Sequence, residues 1–475
     1  MKQLSGLDTS FLRMETPTTY GHVASLAVFD PSTAPRPVTF DDVRNLVLER
    51  IHLVAPFRRR LVEVPLGIDC PFWIEDPDFD IDFHLRHIAV PPPGDQTQLA
   101  ELAVRIAARH LDRSRPLWEM YVIEGLEGGR IAELTKIHHA CIDGVEGAEI
   151  LGVLLDMEPE APPAQPPAEA WQWEREPSQL SMLGRGLLGL ASRPRVGMRL
   201  ARHAVPSLGT ISRNFALPIP GLRPRDDVLS RPSVTAPRTP FNGIITPHRR
   251  WAFGTLALSD IKAVKNKTGA TVNDVVMTLC AGALRRWLIK HEALPDGPLL
   301  AMVPVSVRVE DDKGTGGNRI SAMVAVLPTD QADPLRRLQE MQAEMVIAKH
   351  EHGALPAALL QDFAAFTPPS VLGMANRVAA RARLMDRVNL PFNVVISNVP
   401  GPQFPLYTSG ARMEGIYPIS AITDGVGLNM TLMSYNGGLD FGLVADREMV
   451  PDIWSMIDAL EEELETLKKL ADISD

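Results

Sequence analysis

A proline-dense stretch divides the chain into two unequal parts and constrains its fold more than any other feature. Residues 157–177 read MEPEAPPAQPPAEAWQWEREP, and proline at this density is incompatible with a continuous helix or a central strand. The chain has 475 residues, which suits two domains, since single cores stop growing at about 250–300 residues. The sequence therefore predicts an N-terminal domain over 1–156, a linker and crossing segment over 157–248, and a C-terminal domain over 249–475.

Strand-like and helix-like segments alternate on both sides of this stretch. Continuous apolar runs at residues 299–308, 320–327 and 392–397 predict buried strands. A helix is predicted near Asn273 and Asp274, either of which would accept hydrogen bonds from the first turn. The mixture of both elements in both parts predicts the α/β class, with an α+β sandwich in each domain.

Charge and composition exclude several classes of protein. A net charge of -10 argues against nucleic-acid binding. The three cysteines form neither a metal-ligand signature nor a disulfide framework, which is typical of a reducing compartment. The N-terminus has no signal-peptide core, and no apolar run is long enough to span a bilayer. We therefore expect a cytoplasmic protein whose membrane contact is peripheral.

One local segment has the opposite charge. Between Glu176 and Asp226 there is no acidic residue, and leucines lie among eight arginines: Arg185, Arg193, Arg195, Arg199, Arg202, Arg213, Arg223 and Arg225. This pattern predicts either a surface helix that lies on anionic lipid or a helix packed on the domains with its arginines in solvent.

The segment most informative about chemistry is HHACIDG, residues 138–144. A predicted strand ends just before it and a helical pattern follows it, so a strand-to-helix turn would fix its side chains. Histidine suits general-base catalysis near neutral pH, where it can take the proton of an attacking hydroxyl. Asp143 could hold the turn through hydrogen bonds or an arginine, and Gly144 allows a backbone conformation that a Cβ would prevent.

The histidine pair allows two other interpretations. Metal ligation is disfavoured because adjacent residues on a strand point to opposite faces and no partner recurs nearby at zinc spacing. A buried, purely structural histidine pair remains open on these residues alone.

HHACIDG resembles the HHxxxDG signature of CoA-dependent acyltransferases with the chloramphenicol-acetyltransferase fold, which include peptide-synthetase condensation domains. Further segments narrow the resemblance to the bacterial wax ester synthase/diacylglycerol acyltransferase family. They span nearly the whole chain in order: LSGLDTSFL at 4–12, PLW at 116–118, Asn273-Asp274, PVSVR at 304–308, Gly317-Asn318 and SNVPGP at 397–402.

The resemblance implies two chloramphenicol-acetyltransferase-like domains with a tunnel at their interface. Acyl-CoA and the hydroxyl of a diacylglycerol or long-chain alcohol would meet there in a ternary complex, with acyl-CoA as a substrate and no cofactor or metal. His139 would be the general base, His138 would support the site, Asp143 would be structural and Gly144 would complete the turn. The substrate-binding candidates are Asn273, Asp274, Gly317, Asn318, Ser397 and Asn398.

Two hypotheses come from the residues themselves. A buried Asp143 needs a cation, and Arg308 at the end of a predicted buried strand is the candidate partner. Cys141 lies inside the signature at a position that the pattern leaves free, so we expect it not to be a nucleophile. The alternatives are a condensation-type enzyme acting on carrier-bound acyl groups and a non-catalytic lipid-binding or lipid-droplet protein. The preferred acceptor, the chain length, the oxyanion donors and the oligomeric state stay open.

Overall fold

The computed structural model describes residues 1–142, 150–164, 166, 173–189, 236–306, 320–353 and 392–473. Within these ranges two six-stranded sheets and one three-stranded sheet pack with helices into a mixed α/β structure. The arginines of the predicted basic segment, apart from Arg185, lie outside the described residues.

The strands, in chain order, are β1 (Lys2–Gln3), β2 (His22–Asp30), β3 (Arg59–Val62), β4 (Phe72–Glu75), β5 (Leu85–Ala89), β6 (Trp118–Glu124), β7 (Ile131–His138), β8 (Arg249–Ala257), β9 (Leu299–Ser306), β10 (Ile320–Leu327), β11 (Val394–Pro400), β12 (Tyr407–Thr408), β13 (Ala411–Ile419), β14 (Leu428–Tyr435) and β15 (Gly438–Asp446). Strand β10 has the bounds that its apolar run predicts. Strand β9 begins where predicted, and β11 begins two residues later than predicted.

The helices are α1 (Gly6–Met14), α2 (Phe40–Arg50), α3 (Ile81–His84), α4 (Gln96–Ala107), α5 (Leu258–Thr268), α6 (Val272–Lys290), α7 (Pro334–Gly353) and α8 (Trp454–Leu470). Residues 150–154 and 179–189 are also helical. In the described part of the chain, none of the helices combines the length and the apolar character needed to cross a bilayer.

Helix α6 is capped at its start, as predicted, but by Thr271 and Asp274 together. Its N-cap is Thr271, whose side-chain oxygen accepts the Asp274 N–H, while Asp274 Oδ2 accepts the Thr271 N–H. This reciprocal capping box satisfies two backbone donors. The prediction that Asn273 or Asp274 accepts hydrogen bonds at the start of the helix is thus confirmed in part: Asp274, the third residue of the helix, accepts the Thr271 N–H, but the N-cap itself is Thr271.

The first six-stranded sheet has the spatial order β12-β13-β2-β7-β6-β5 and the second has the order β10-β9-β11-β14-β15-β8. Strands β12 and β13 come from the C-terminal part of the chain, yet β13 pairs antiparallel with β2 of the N-terminal part. The structure thus departs from the predicted domain division over Tyr407–Ile419. The physical reason is that β2 would otherwise present an unpaired edge inside the molecule.

Two large apolar cores flank the sheets. The larger lies between the second sheet and helices α5, α6, α7 and α8. The other joins α4 to the first sheet and includes Trp251 and Phe253 of β8. The two sheets face each other between these cores, so β2 and β7 form one wall of the intervening space and β11 and β14 form the other.

Candidate active site

Strand β7 delivers the signature histidines to the space between the two sheets. Its residues are buried on both faces, and it is hydrogen-bonded to β2 on one side and to β6 on the other. Glu133, Thr135, Ile137 and then His139 line the cavity. Because side chains alternate along a strand, His138 points away from this wall.

The His139 ring is held against helix α1. It stacks on the Phe11 ring with centroids 4.9 Å apart and an interplanar angle of 19°. The His139 backbone N–H donates to the carbonyl oxygen of Gly21 over 2.9 Å. Phe11 lies within the LSGLDTSFL segment, and Ser5 caps the helix that carries it. One part of that segment therefore forms a side of the reaction site.

His138 is buried and has a fixed tautomer. Its Nδ1 accepts the Ala140 N–H at 3.0 Å, so the proton belongs on Nε2, which lies 3.5 Å from Glu15 Oε1. Burial lowers the pKa of His138, while the nearby Glu15 carboxylate opposes that shift. The ring supports the backbone around His139 and does not reach the cavity lining.

Glu15 is a positioning residue that sequence reasoning missed. One of its oxygens accepts the Gly21 N–H at 3.0 Å, and the other accepts a hydrogen bond of 2.5 Å from Arg113. Burial alone would raise the pKa of Glu15, but its interactions with His110, His138 and Arg113 hold that pKa far below its ordinary range. The carboxylate thus joins the end of α1, the turn at Gly21 and the His138 ring. Its only signal in the sequence is its place three residues after LSGLDTSFL.

The cavity beside His139 has a volume of about 640 Å³ and a predominantly apolar lining. Its size is typical of sites for small organic ligands. Ser397 and Asn398 of β11, two of the residues predicted to bind substrate, line its second wall. Asn398 Nδ2 lies 3.5 Å from Asn273 Oδ1, which places Asn273 behind that wall.

The remaining predicted site residues are distributed differently. Asp274 is buried in its capping box, and neither it nor Asn273 is among the described residues that line the cavity. Asp143, Gly144, Arg308, Gly317 and Asn318 lie outside the described residues, as does the proposed Asp143–Arg308 pair.

No group of three or more histidine, cysteine, aspartate or glutamate side chains in the described ranges is arranged to hold a metal ion. The described polar groups around the histidines are arranged for hydrogen bonding: a carboxylate, an arginine and backbone amides. What this arrangement offers a substrate is one imidazole in an apolar cavity, with a second imidazole that stiffens the backbone behind it.

The model of the wax ester synthase/diacylglycerol acyltransferase catalytic domain matches residues 4–276, and the model of the C-terminal domain of the same enzymes matches residues 316–468. The chain belongs to the wax ester synthase/diacylglycerol acyltransferase family. It is 38% identical over 473 residues to a putative diacylglycerol O-acyltransferase of Mycobacterium tuberculosis, covering 99% of this chain and 91% of the relative. It is 37% identical to the probable diacylglycerol O-acyltransferase tgs2 of the same organism, with 98% of each chain covered.

Solved structures agree with this assignment. The wax ester synthase/diacylglycerol acyltransferase from Marinobacter aquaeolei VT8 superimposes with a TM-score of 0.68 at 32% identity, covering 99% of this chain and all of that one. The first condensation domain of the calcium-dependent antibiotic synthetase gives a TM-score of 0.58 at 14% identity, covering 99% and 96%, which shows a shared fold. The predicted fold of two chloramphenicol-acetyltransferase-like domains with a tunnel between them is confirmed, and the protein is an acyltransferase.

Proposed function

We propose that His139 is the general base with which this acyltransferase moves an acyl group from acyl-CoA to the hydroxyl of a diacylglycerol or a long-chain alcohol. The observation that carries the proposal is the position of the ring. Among the described residues that line the cavity, His139 supplies the only imidazole. An imidazole is the side chain best matched to proton transfer near neutral pH.

The reaction requires both substrates at His139 together. The imidazole takes the proton of the acceptor hydroxyl while its oxygen attacks the thioester carbonyl. Collapse of the tetrahedral intermediate breaks the C–S bond and releases CoA, whose sulfur takes the proton from the imidazolium. The products are an ester and CoA, so the balance closes without a cofactor or an acyl-enzyme.

The cavity lining fits the proposed substrates. Apolar residues of α1, β2, β9 and β11 and of the segment 150–155 form most of the surface, which suits the alkyl chains of an acyl-CoA, a diacylglycerol or a long-chain alcohol. The names of the mycobacterial relatives and of the Marinobacter enzyme support both acceptor classes. The ester formed is then a triacylglycerol or a wax ester.

The assay follows radiolabelled palmitoyl-CoA with a diacylglycerol or hexadecanol, separating neutral lipids by thin-layer chromatography and measuring CoA with a thiol reagent. We expect ester and CoA in equal amounts, and neither from a folded His139→Ala protein. Release of CoA without ester, or ester formation that survives His139→Ala, would overturn the proposal.

We also propose that the protein works at the surface of a membrane or lipid droplet. Residues 179–189 form a helix anchored by Met182, which is fully buried against Val62, Val64 and Ile74. The other side of this helix exposes Leu180, Leu187 and Leu188 to solvent. Exposed leucines next to a segment rich in arginine are typical of a helix that lies on anionic lipid.

Vesicle sedimentation tests this surface. Changing Leu180, Leu187 and Leu188 to serine should weaken binding to vesicles that contain anionic lipid, and so should changing Arg193, Arg195, Arg199 and Arg202 to glutamine, at about 1 kcal/mol per charge. Val346→Ser is the control, because Val346 is also exposed but lies on α7. Equal binding by all of these proteins would refute the proposed surface.

A further inference from the structure

The cavity has a closed end, and a carboxyl group lies there. Glu133 is on the same face of β7 as His139, six residues earlier in the chain, and it lines the cavity. Its Oε1 accepts a hydrogen bond of 2.7 Å from the hydroxyl of Thr408, which is itself completely buried on β12. A carboxyl group in this apolar lining is not used by the transfer chemistry at His139.

On strands β2, β7 and β14 the lining of the cavity ends before a shared apolar cluster. Ala27 of β2, which pairs with Glu133, is the last lining residue of its strand, and Met433 is the last of β14. The next inward-facing residues, Phe29, Ile131 and Tyr435, instead pack together in one apolar cluster. That cluster closes the space behind Glu133.

The raised pKa of Glu133 favours a neutral carboxyl group, which an apolar ligand can contact. Burial raises the pKa of Glu133 to about 7, although the hydrogen bond from Thr408 lowers it. Below neutral pH the group is therefore mostly uncharged. A neutral, hydrogen-bonded carboxyl can contact the end of a hydrocarbon chain at far lower cost than a carboxylate.

We propose that Glu133, held by Thr408, ends the arm of the cavity that starts at His139 and thereby limits the length of the alkyl chain that reacts there. Glu133 is thus a specificity-determining residue, a role that rests on the proposed function. The chain is a single unbranched one whose reacting group lies at His139. The acyl group of acyl-CoA and a long-chain alcohol share this chemistry.

The length of the arm follows from strand geometry. At about 3.3 Å per residue, the six steps from Glu133 to His139 span about 20 Å. An extended carbon chain with bonds of about 1.52 Å and angles of about 111° advances about 1.25 Å per carbon. The arm therefore holds about 16 carbons, and longer chains would have to displace Glu133.

The test measures kcat/KM against chain length in two series, one of acyl-CoAs with a fixed acceptor and one of alcohols with a fixed acyl-CoA. In wild type we expect a decline beyond about 16 carbons in one series, which identifies the source of the bound chain. Glu133→Ala should move that decline to chains about two carbons longer. Each additional buried methylene is worth about fourfold, so with two more methylenes buried the ratio of rates for 18 and 16 carbons should rise about 15-fold.

Three further variants keep the result interpretable. Glutamine has nearly the same size as glutamate, so Glu133→Gln should keep the wild-type length profile. This variant separates the effect of side-chain volume from that of ionisation. Ala27→Leu fills the closed end from the neighbouring strand and should move the decline to shorter chains. Thr135 lies on the same face of β7 but nearer His139. Thr135→Ala should therefore leave the position of the decline in place, whatever it does to the rate.

The outcomes separate the two proposals. If wild-type protein forms no ester from any pair of substrates, the proposed function fails. If wild type and Glu133→Gln are active and both Glu133→Ala and Ala27→Leu keep the wild-type length profile in both series, Glu133 does not limit chain length. Melting curves establish that each variant is folded, and a misfolded Glu133→Ala leaves Ala27→Leu to decide.

Discussion

His138 and His139 are adjacent in the chain, but their rings have opposite environments. The His138 ring is buried, with one nitrogen bound to the Ala140 N–H and the other facing Glu15. The His139 ring lines the cavity and stacks on Phe11. Because a strand alternates its side chains, bringing one of two adjacent histidines to the substrates places the other inside the protein.

The same contrast runs along β7. On the cavity side, Glu133, Thr135 and Ile137 border space that a ligand can occupy. On the opposite side, the Lys136 ammonium donates to the carbonyl oxygens of Ile106 and Arg109 at the end of α4. The ammonium group on the far side is thus held by backbone carbonyl oxygens. One face of β7 thus carries the side chains that border the cavity, and the other face holds the strand in position.

The largest test of this contrast compares His139→Ala with His138→Ala. Loss of a general base costs about 10²–10⁴-fold in rate, so His139→Ala should lower kcat by that factor. His138→Ala should lower it by much less, because that ring acts only through the backbone. Radiometric initial rates measure both, with circular dichroism to establish folding. Equal losses in two folded variants would contradict the division of roles.

Substitution of Gly21 tests how the backbone near the His138 and His139 rings is held. A Cβ at this position would lie 2.5 Å from His138 Nε2 and 2.8 Å from the carbonyl oxygen of Phe11. The Gly21 carbonyl oxygen also accepts the His139 N–H, so we expect the backbone shift that relieves these contacts in Gly21→Ala to move His139. A misplacement of 1 Å in a reacting group can cost about 10²-fold, and we expect a loss between tenfold and that value.

Gly184→Ala is the matched control for this variant, since a Cβ there meets nothing within 4 Å. It lies in a helix, where alanine is favoured over glycine by about 0.5–1 kcal/mol. Melting temperature and rate should both be retained in Gly184→Ala. Full activity in Gly21→Ala would show that the turn tolerates a side chain and does not position His139.

The sequence predicted local features of this site well and long-range ones poorly. The apolar run over Ile320–Leu327 and the strand-to-turn position of His139 depend on neighbouring residues, so pattern alone could place them. The pairing of β13 with β2 could not be predicted, because strand alternation does not say which strand is the partner. Glu15 and Glu133 were missed for the same reason. Their importance comes from Arg113, His138 and Thr408, which are distant in the chain.

The variant Glu15→Gln tests how the buried side of the site is held, through the free energy of unfolding and its dependence on pH. The pKa of Glu15 is depressed in the folded protein, so its carboxylate stabilises the fold fully above the pKa of an unfolded glutamate, about 4.3, and loses that effect as pH falls. Hydrogen bonds to a charged group contribute about 1.5–3 kcal/mol. Glu15→Gln should therefore reduce the free energy of unfolding by about that amount at pH 7.

The loss should shrink below about pH 4, because Glu15 of the unfolded wild-type chain then binds a proton that the folded protein does not, which removes part of the stabilisation. Urea unfolding at pH 7, 5 and 3.5 measures this difference. Glu63→Gln is the control, since Glu63 is exposed and forms an ion pair with Arg13. It should change stability by less than about 1 kcal/mol. A deficit in Glu15→Gln that stays constant with pH would rule out the charged form as its cause.

The smallest effect is expected at Cys141, although this thiol lies between His139 and the end of the signature. A thiol beside a histidine suggests acyl transfer to sulfur and then to the acceptor. The structure argues against that route, because Cys141 packs beside the apolar groups of Leu117 and Ala140 and is not among the described residues that line the cavity. Cys141→Ala should change kcat by less than about threefold, as for a substitution outside the reaction site.

Rapid mixing with acyl-CoA in the absence of acceptor decides the mechanism. A ternary-complex enzyme gives no burst, whereas a stoichiometric burst of CoA that Cys141→Ala abolishes would transfer the chemistry from His139 to this thiol.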